Sequence, residues 1–125
     1  MTTPALQQTD LNQFTGTQTY YRHALNRKVT YTDGVKYFAD RAGAHWLIDI
    51  LATELERLAR KHGILFITAK ARDGKADLEA LPDHGKPPLW SRHISLTDLP
   101  EGDWRLWMAD GAPEGTVVIM LPSEY

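Results

Sequence analysis

The chain has 125 residues, 42% hydrophobic and 24% charged, with a formal net charge of −2 and no cysteine. A single domain of this length buries a core without staples, and the missing thiols exclude disulfides, thiolate metal sites and cysteine nucleophiles. No apolar run is long enough to span a bilayer, and the opening MTTPALQQTD lacks the basic and apolar segments of a secretory signal, so a soluble cytoplasmic protein is expected.

The charge is unevenly spread. Residues 1–63 carry eight Lys/Arg and six Asp/Glu, and residues 64–125 carry six and ten. From Asp98 onward there are six acids (Asp98, Glu101, Asp103, Asp110, Glu114 and Glu124) and one base, Arg105. Such a half is poorly suited to nucleic-acid phosphates and suits either a solubilising surface or a basic partner.

Ala5 to Phe14 reads as a short helix with Leu6, Leu11 and Phe14 as its apolar residues, ended by Thr15-Gly16-Thr17. Thr19 to Thr32 is rich in β-branched and aromatic residues and bends at Ala24–Arg27, which suggests a small hairpin. Thr32 or Asp33 can cap the next helix, whose apolar residues Val35, Phe38, Ala39 and Ala42 fall on one stripe. Gly43 breaks it. A second helix runs from about Ala44 to His62 and is closed by Gly63. Its expected core stripe is Leu47, Ile50, Leu51, Leu55 and Leu58, with Trp46 at the edge.

The second half reads as strands. Ile64–Ala71 and Ala76–Leu81 flank Asp73-Gly74, a pair that favours the positive φ angles of a two-residue hairpin turn. That turn sets Ala71 opposite Ala76, Ala69 opposite Leu78 and Ile67 opposite Ala80 on an apolar face. On the polar face it sets Lys70 opposite Asp77 and Thr68 opposite Glu79. Leu89–Leu96 is a further strand, with Trp90, Ile94 and Leu96 on one side. Trp104–Ala109 is another, and Thr116–Leu121, apolar on both faces, suits a covered position. The expected fold is one α+β domain over 1–125, with N-terminal helices packed on an antiparallel meander of about five strands.

Chemistry is thinly marked. His45 and Asp49 lie one helical turn apart, as an orienting His–Asp pair would, but such spacings are common on solvated helix faces. The five histidines make no recognised zinc spacing, no phosphate-binding loop occurs, and Ser91, Ser95 and Ser123, the only serines, lie in no nucleophile motif. No cofactor or metal is expected. Between Tyr20 and Arg41, Tyr20, Tyr21, Tyr31, Tyr37 and Phe38 alternate with Arg22, Arg27, Lys28, Lys36 and Arg41, a mixture that suits single-stranded nucleic acid. Asp33 and Asp40 dilute that charge. Arg105 and Trp107 fall on the opposite side of their strand from Trp104, Leu106 and Met108. Either they face outward as a binding pair, or helices cover both faces and Trp107 is core.

The segments QFTGT (Gln13–Thr17), YYRH (Tyr20–His23), YTDGVKYFAD (Tyr31–Asp40), GAHWLIDILA (Gly43–Ala52) and LPSEY (Leu121–Tyr125) together resemble an uncharacterised bacterial family, numbered 6876 among the domains of unknown function. The resemblance covers nearly the whole chain and is weakest from Asp73 to Asp98. It brings no activity and no catalytic residues. It implies a small stand-alone protein of phage, plasmid or other mobile-element type, and such proteins often block a host defence component, as anti-CRISPR proteins do. The expectation is therefore a non-enzymatic protein-binding module that occludes a nucleic-acid-binding surface of a host or mobile-element protein. Its partner-binding residues would be Asp98, Glu101, Asp103, Arg105, Trp107 and Glu114. The alternatives are a nucleic-acid-binding accessory protein using Tyr20 to Arg41, and a small enzyme centred on His45 and Asp49.

Overall fold

The computed structural model describes Leu11, Gln13 and residues 19–82, 85–111 and 115–124. Apart from Leu11 and Gln13, the helix expected over Ala5 to Phe14 lies outside the described residues. The elements run β1 (Tyr20–Arg22), β2 (Val29–Thr32), α1 (Asp33–Ala42), α2 (His45–Glu54), α3 (Glu56–His62), β3 (Ile64–Arg72), β4 (Lys75–Leu81), β5 (Trp90–Ile94), β6 (Gly102–Asp110) and β7 (Val117–Met120), with a final 3-10 turn at Pro122–Glu124.

The fold is α+β, but not an N-terminal helical layer on a five-stranded meander. Among the described residues seven strands form one sheet in the order β1-β2-β7-β6-β3-β4-β5. These helices lie mid-chain, after the small hairpin β1–β2. The sheet is mixed, because β7 pairs with β6 antiparallel and with β2 parallel. The reason is burial. All four residues of β7 are buried, and a strand apolar on both faces is stable only between neighbours. One neighbour, β6, is local, whereas β2 is supplied from the start of the described chain.

Thr32 caps α1, its hydroxyl accepting from Val35 N–H at 3.1 Å, and Val35, Phe38, Ala39 and Ala42 form the buried stripe. Gly43 ends the helix at φ 62°. The single helix expected from Ala44 to His62 is bent at Leu55, where ψ opens to 0°. Backbone bonds from Leu55 N–H to Leu51 and from Ala59 N–H to Leu55 still link its halves. The buried stripe is Leu47, Ile48, Leu51, Ala52, Leu55 and Ala59. Ile50 and Leu58, expected in that stripe, are only half-buried at its flank. Small alanines at 52 and 59 let the helices lie close to the sheet. Phe38 packs on Trp104 with ring centroids 5.5 Å apart.

The β3–β4 hairpin has the register read from its turn, with Ala71 opposite Ala76 and Ile67 opposite Ala80. Asp73 and Gly74 both take positive φ, 53° and 74°. The charge pairing differs from the one expected. Lys70 reaches diagonally to Glu79 at 3.8 Å, because Asp77 is held by His93 at 2.7 Å across the next strand. Leu96 does not join Trp90 and Ile94 in β5. It lies beyond the strand end and is 85% exposed.

The C-terminal turn closes onto the start of α1. The Thr32 hydroxyl donates to Glu124 Oε1 at 2.6 Å, and Leu121 N–H donates to the same oxygen at 2.9 Å. Gly34 makes this approach possible, since a Cβ there would lie 2.7 Å from Glu124 Oε1 and 2.8 Å from Leu121 Cδ1. Gly34→Ala should therefore overpack a closed contact and destabilise the fold by about 1–3 kcal/mol. Urea unfolding measures it, and an unchanged midpoint would show that the clasp yields without loss.

Candidate functional site

Strand β6 buries Trp104, Leu106 and Met108 on the helix side, so alternation sends Asp103, Arg105 and Trp107 to the other face. Pairing then aligns β3 and β4 with them. Leu81, Phe66, Trp107 and Met120 make one cross-strand row, all apolar. Glu79, Thr68 and Arg105 make the next, and Asp77, Lys70 and Asp103 the one after. The face thus grades from apolar to charged along the strands.

Phe66 meets Trp107 edge-on, with centroids 5.1 Å apart and planes at 88°. Both are half-buried, so Trp107 is neither a core residue of the helix side nor fully exposed. A hollow of about 320 Å³ opens here, lined by Phe66, Trp107, Leu81, Lys70, Asp103 and Arg105 among others. Aromatic walls with a few converging charges are the usual make-up of a recognition pocket. Arg105 is exposed and forms no ion pair among the described residues.

Of the expected partner-binding residues, the structure brings Asp103, Arg105 and Trp107 together. Asp103 also carries an ion pair to Arg72 at 3.5 Å. Glu101 lies at the β3–β4 turn, where its carboxylate accepts from Asp73 N–H at 3.3 Å. Asp98 lines a different hollow with Trp46 and Leu96. Glu114 lies outside the described residues. Phe66, Lys70 and Leu81 were not anticipated as site residues. The hairpin register already placed Lys70 on the polar face, and extending its alternation by one step reaches Phe66.

The pair His45 and Asp49 does not form. His45 Nε2 lies 2.7 Å from Asp40 Oδ1, because the first turn of α2 abuts the end of α1. Asp49 instead takes His23 Nε2 at 2.7 Å. His23 is buried, and its Nδ1 accepts backbone N–H groups of Leu25 and Asn26 at 3.1 and 3.2 Å. The ring proton therefore sits on Nε2 and is donated to Asp49. This imidazole holds the β1–β2 bend to α2. Lys36 and then His45 hold the Asp40 carboxyl below its ordinary range, and Arg60, helped by Asn26, does the same for Glu56.

Among the basic and aromatic residues from Tyr20 to Arg41, Tyr21, Tyr31, Lys36, Tyr37 and Arg41 engage one another. Phe38 is core. Tyr21 stacks on Tyr31 at 5.6 Å with Lys36 over its ring, and Arg41 lies over Tyr37. Among the described residues no three His, Asp or Glu side chains converge as metal ligands, and no helix is long and apolar enough to cross a membrane.

Residues 5–125 match the family model described as a family of unknown function, DUF6876. The chain belongs to that family. No curated protein and no solved structure matches it. The clasp joins two of the family-like segments, since Thr32 and Gly34 belong to YTDGVKYFAD, and Leu121 and Glu124 to LPSEY.

Two predictions separate support from chemistry in this family member. His23→Ala should cost roughly 1–3 kcal/mol by leaving two backbone N–H groups without their acceptor, while His45→Ala should stay within about 0.5 kcal/mol. Chemical denaturation of both variants checks this, and equal losses would refute the assignment.

The second prediction concerns acid. The Glu56 carboxyl sits below its ordinary value of 4.5 in the fold. Its stabilising contribution is therefore complete above that value and is lost as pH falls through the lower folded one. The melting-temperature gap between wild type and Glu56→Gln should close as acid is added. A gap independent of pH would mean that the pair with Arg60 adds nothing.

Proposed function

We propose that this chain is a non-enzymatic protein-binding module whose contact surface is centred on the hollow of Phe66, Lys70, Arg105 and Trp107. The observation that carries the reading is the conjunction of an aromatic pair with Arg105 and Lys70 in one concavity of the strand face. Tryptophan and arginine at a concave centre are the side chains on which protein contacts most often depend. The finer proposal is an anti-defence inhibitor that occludes a nucleic-acid-binding surface of its target. It rests on the exposed acids Asp98, Glu101 and Asp103, which suit a basic partner. The separation of His45 from Asp49 weakens the enzyme alternative. The self-engaged tyrosines weaken the nucleic-acid one.

The test is quantitative capture of a host protein by the immobilised chain and by variants. Trp107→Ala should weaken binding by about tenfold or more, mainly through faster dissociation. Reversing Asp98, Glu101 and Asp103 to lysine should slow association, with the effect fading as salt rises. Capture that survives Trp107→Ala and Arg105→Glu but is lost when Arg22, Lys28 and Lys36 are reversed would move the contact to the other end of the sheet.

A further inference from the structure

The sheet ends at β5, and among the described residues no strand pairs with its outer edge. Such an edge presents a row of backbone donors and acceptors to any chain that can lie beside it. Helix α2 flanks it with Trp46, Ile50 and Glu54, four residues apart and so on one face. Glu54 bonds Arg92 at 2.5 Å, and Trp46 shares a hollow with Leu96, so the helix runs antiparallel to the strand. Four helical residues rise about 6 Å and two strand residues about 6.6 Å. Trp46, Ile50 and Glu54 therefore stand level with Leu96, Ile94 and Arg92. Ile50, Trp90 and Ile94 are half-buried, while Leu96 is 85% and Leu89 43% exposed. The edge carries an apolar rim.

The side-chain pattern of β5 is close to its own mirror image. Trp90, Arg92 and Ile94 face the helices, and Ser91 and His93 face away. A two-fold axis perpendicular to the sheet sets one residue opposite its own copy. Passing it through Ser91 would place Trp90 against Arg92, and through His93 would place Arg92 against Ile94. Passing it through Arg92 places Trp90 against Ile94 twice and Ser91 against His93 twice. Only this register matches apolar with apolar and polar with polar, and aromatic with β-branched pairs are favourable across strands. An inward charge usually guards an edge. Here Glu54 balances each Arg92, so the four central charges sum to zero.

We propose that β5 is a self-association edge, at which a second copy of this chain adds antiparallel about a two-fold axis through Arg92. The two sheets become one, and the exposed Leu96 of each copy comes level with Pro88 and Leu89 of the other. The contact is isologous, so it closes at the dimer. It lies on the sheet edge and leaves the hollow on the strand face open, so it stands or falls independently of the protein-binding reading.

The absence of native cysteine makes a direct test available. Ser91 and His93 are both exposed, so Ser91→Cys and His93→Cys disturb no core. Across the proposed axis each lies opposite the other, at a Cα separation of about 4.5–5.5 Å, within disulfide reach. Two copies of Ser91→Cys would lie about 8 Å apart, beyond that reach. Under mild oxidation a mixture of the two variants should cross-link at least tenfold faster than either alone. Light scattering of the wild type should rise toward dimer mass with concentration, and Leu96→Lys should weaken the dimer several-fold without shifting the melting temperature. Equal cross-linking of single and mixed variants, or a monomer at every concentration, would overturn the proposal.

Discussion

Burial of β7 organises this fold. Its four residues are buried on both faces, so the strand has to lie inside a sheet and needs two hydrogen-bonded neighbours. Strand β6 is available locally. The other neighbour, β2, approaches in the parallel sense, a geometry that requires a long crossover. The clasp of Glu124 on Thr32 then ties the turn after β7 to the helix after β2. Gly34 is part of the same closure, because a side chain there would occupy the space of the carboxylate.

That arrangement decides where recognition can occur. The helices lie against one face of the sheet and take the apolar sides of β3, β4 and β6. The alternate side chains of the same strands are left for the other face, and pairing groups them into an apolar row, a mixed row and a charged row. Phe66 and Trp107 meet because β3 and β6 are neighbours, although they are far apart in sequence. The edge strand β5 lies beside this face, so surface recognition and edge pairing would use different groups of the same sheet.

Around the helices, polar groups make local closed circuits. His23 joins the β1–β2 bend to Asp49, and Asn26 of the same bend donates to Ala52 O and approaches Glu56. Arg60 links Glu56 to Asp110 and to the carbonyl of Gly115. These contacts join segments that pack against one another, and they account for several ionisable residues without invoking chemistry.

Sequence alone determined what depends on neighbours along the chain. The Thr32 cap, the α1 stripe, the helix stop at Gly43 and the register around Asp73-Gly74 are set by local geometry and period, and each was legible. The alternation of β6 also separated Arg105 and Trp107 from the core residues. Only the tertiary structure decided which segments meet. The β2–β7 pairing, the Phe66–Trp107 contact and the exchange of Asp49 from His45 to His23 are long-range, and no period along the chain encodes them. The same is true of the acids after Asp98. Glu101 and Asp103 both reach the end of the β3–β4 hairpin, at Asp73 N–H and Arg72, while Asp98 lines a hollow with Trp46 and Glu124 is drawn into the clasp on Thr32, because strand pairing and not sequence order decides their neighbours.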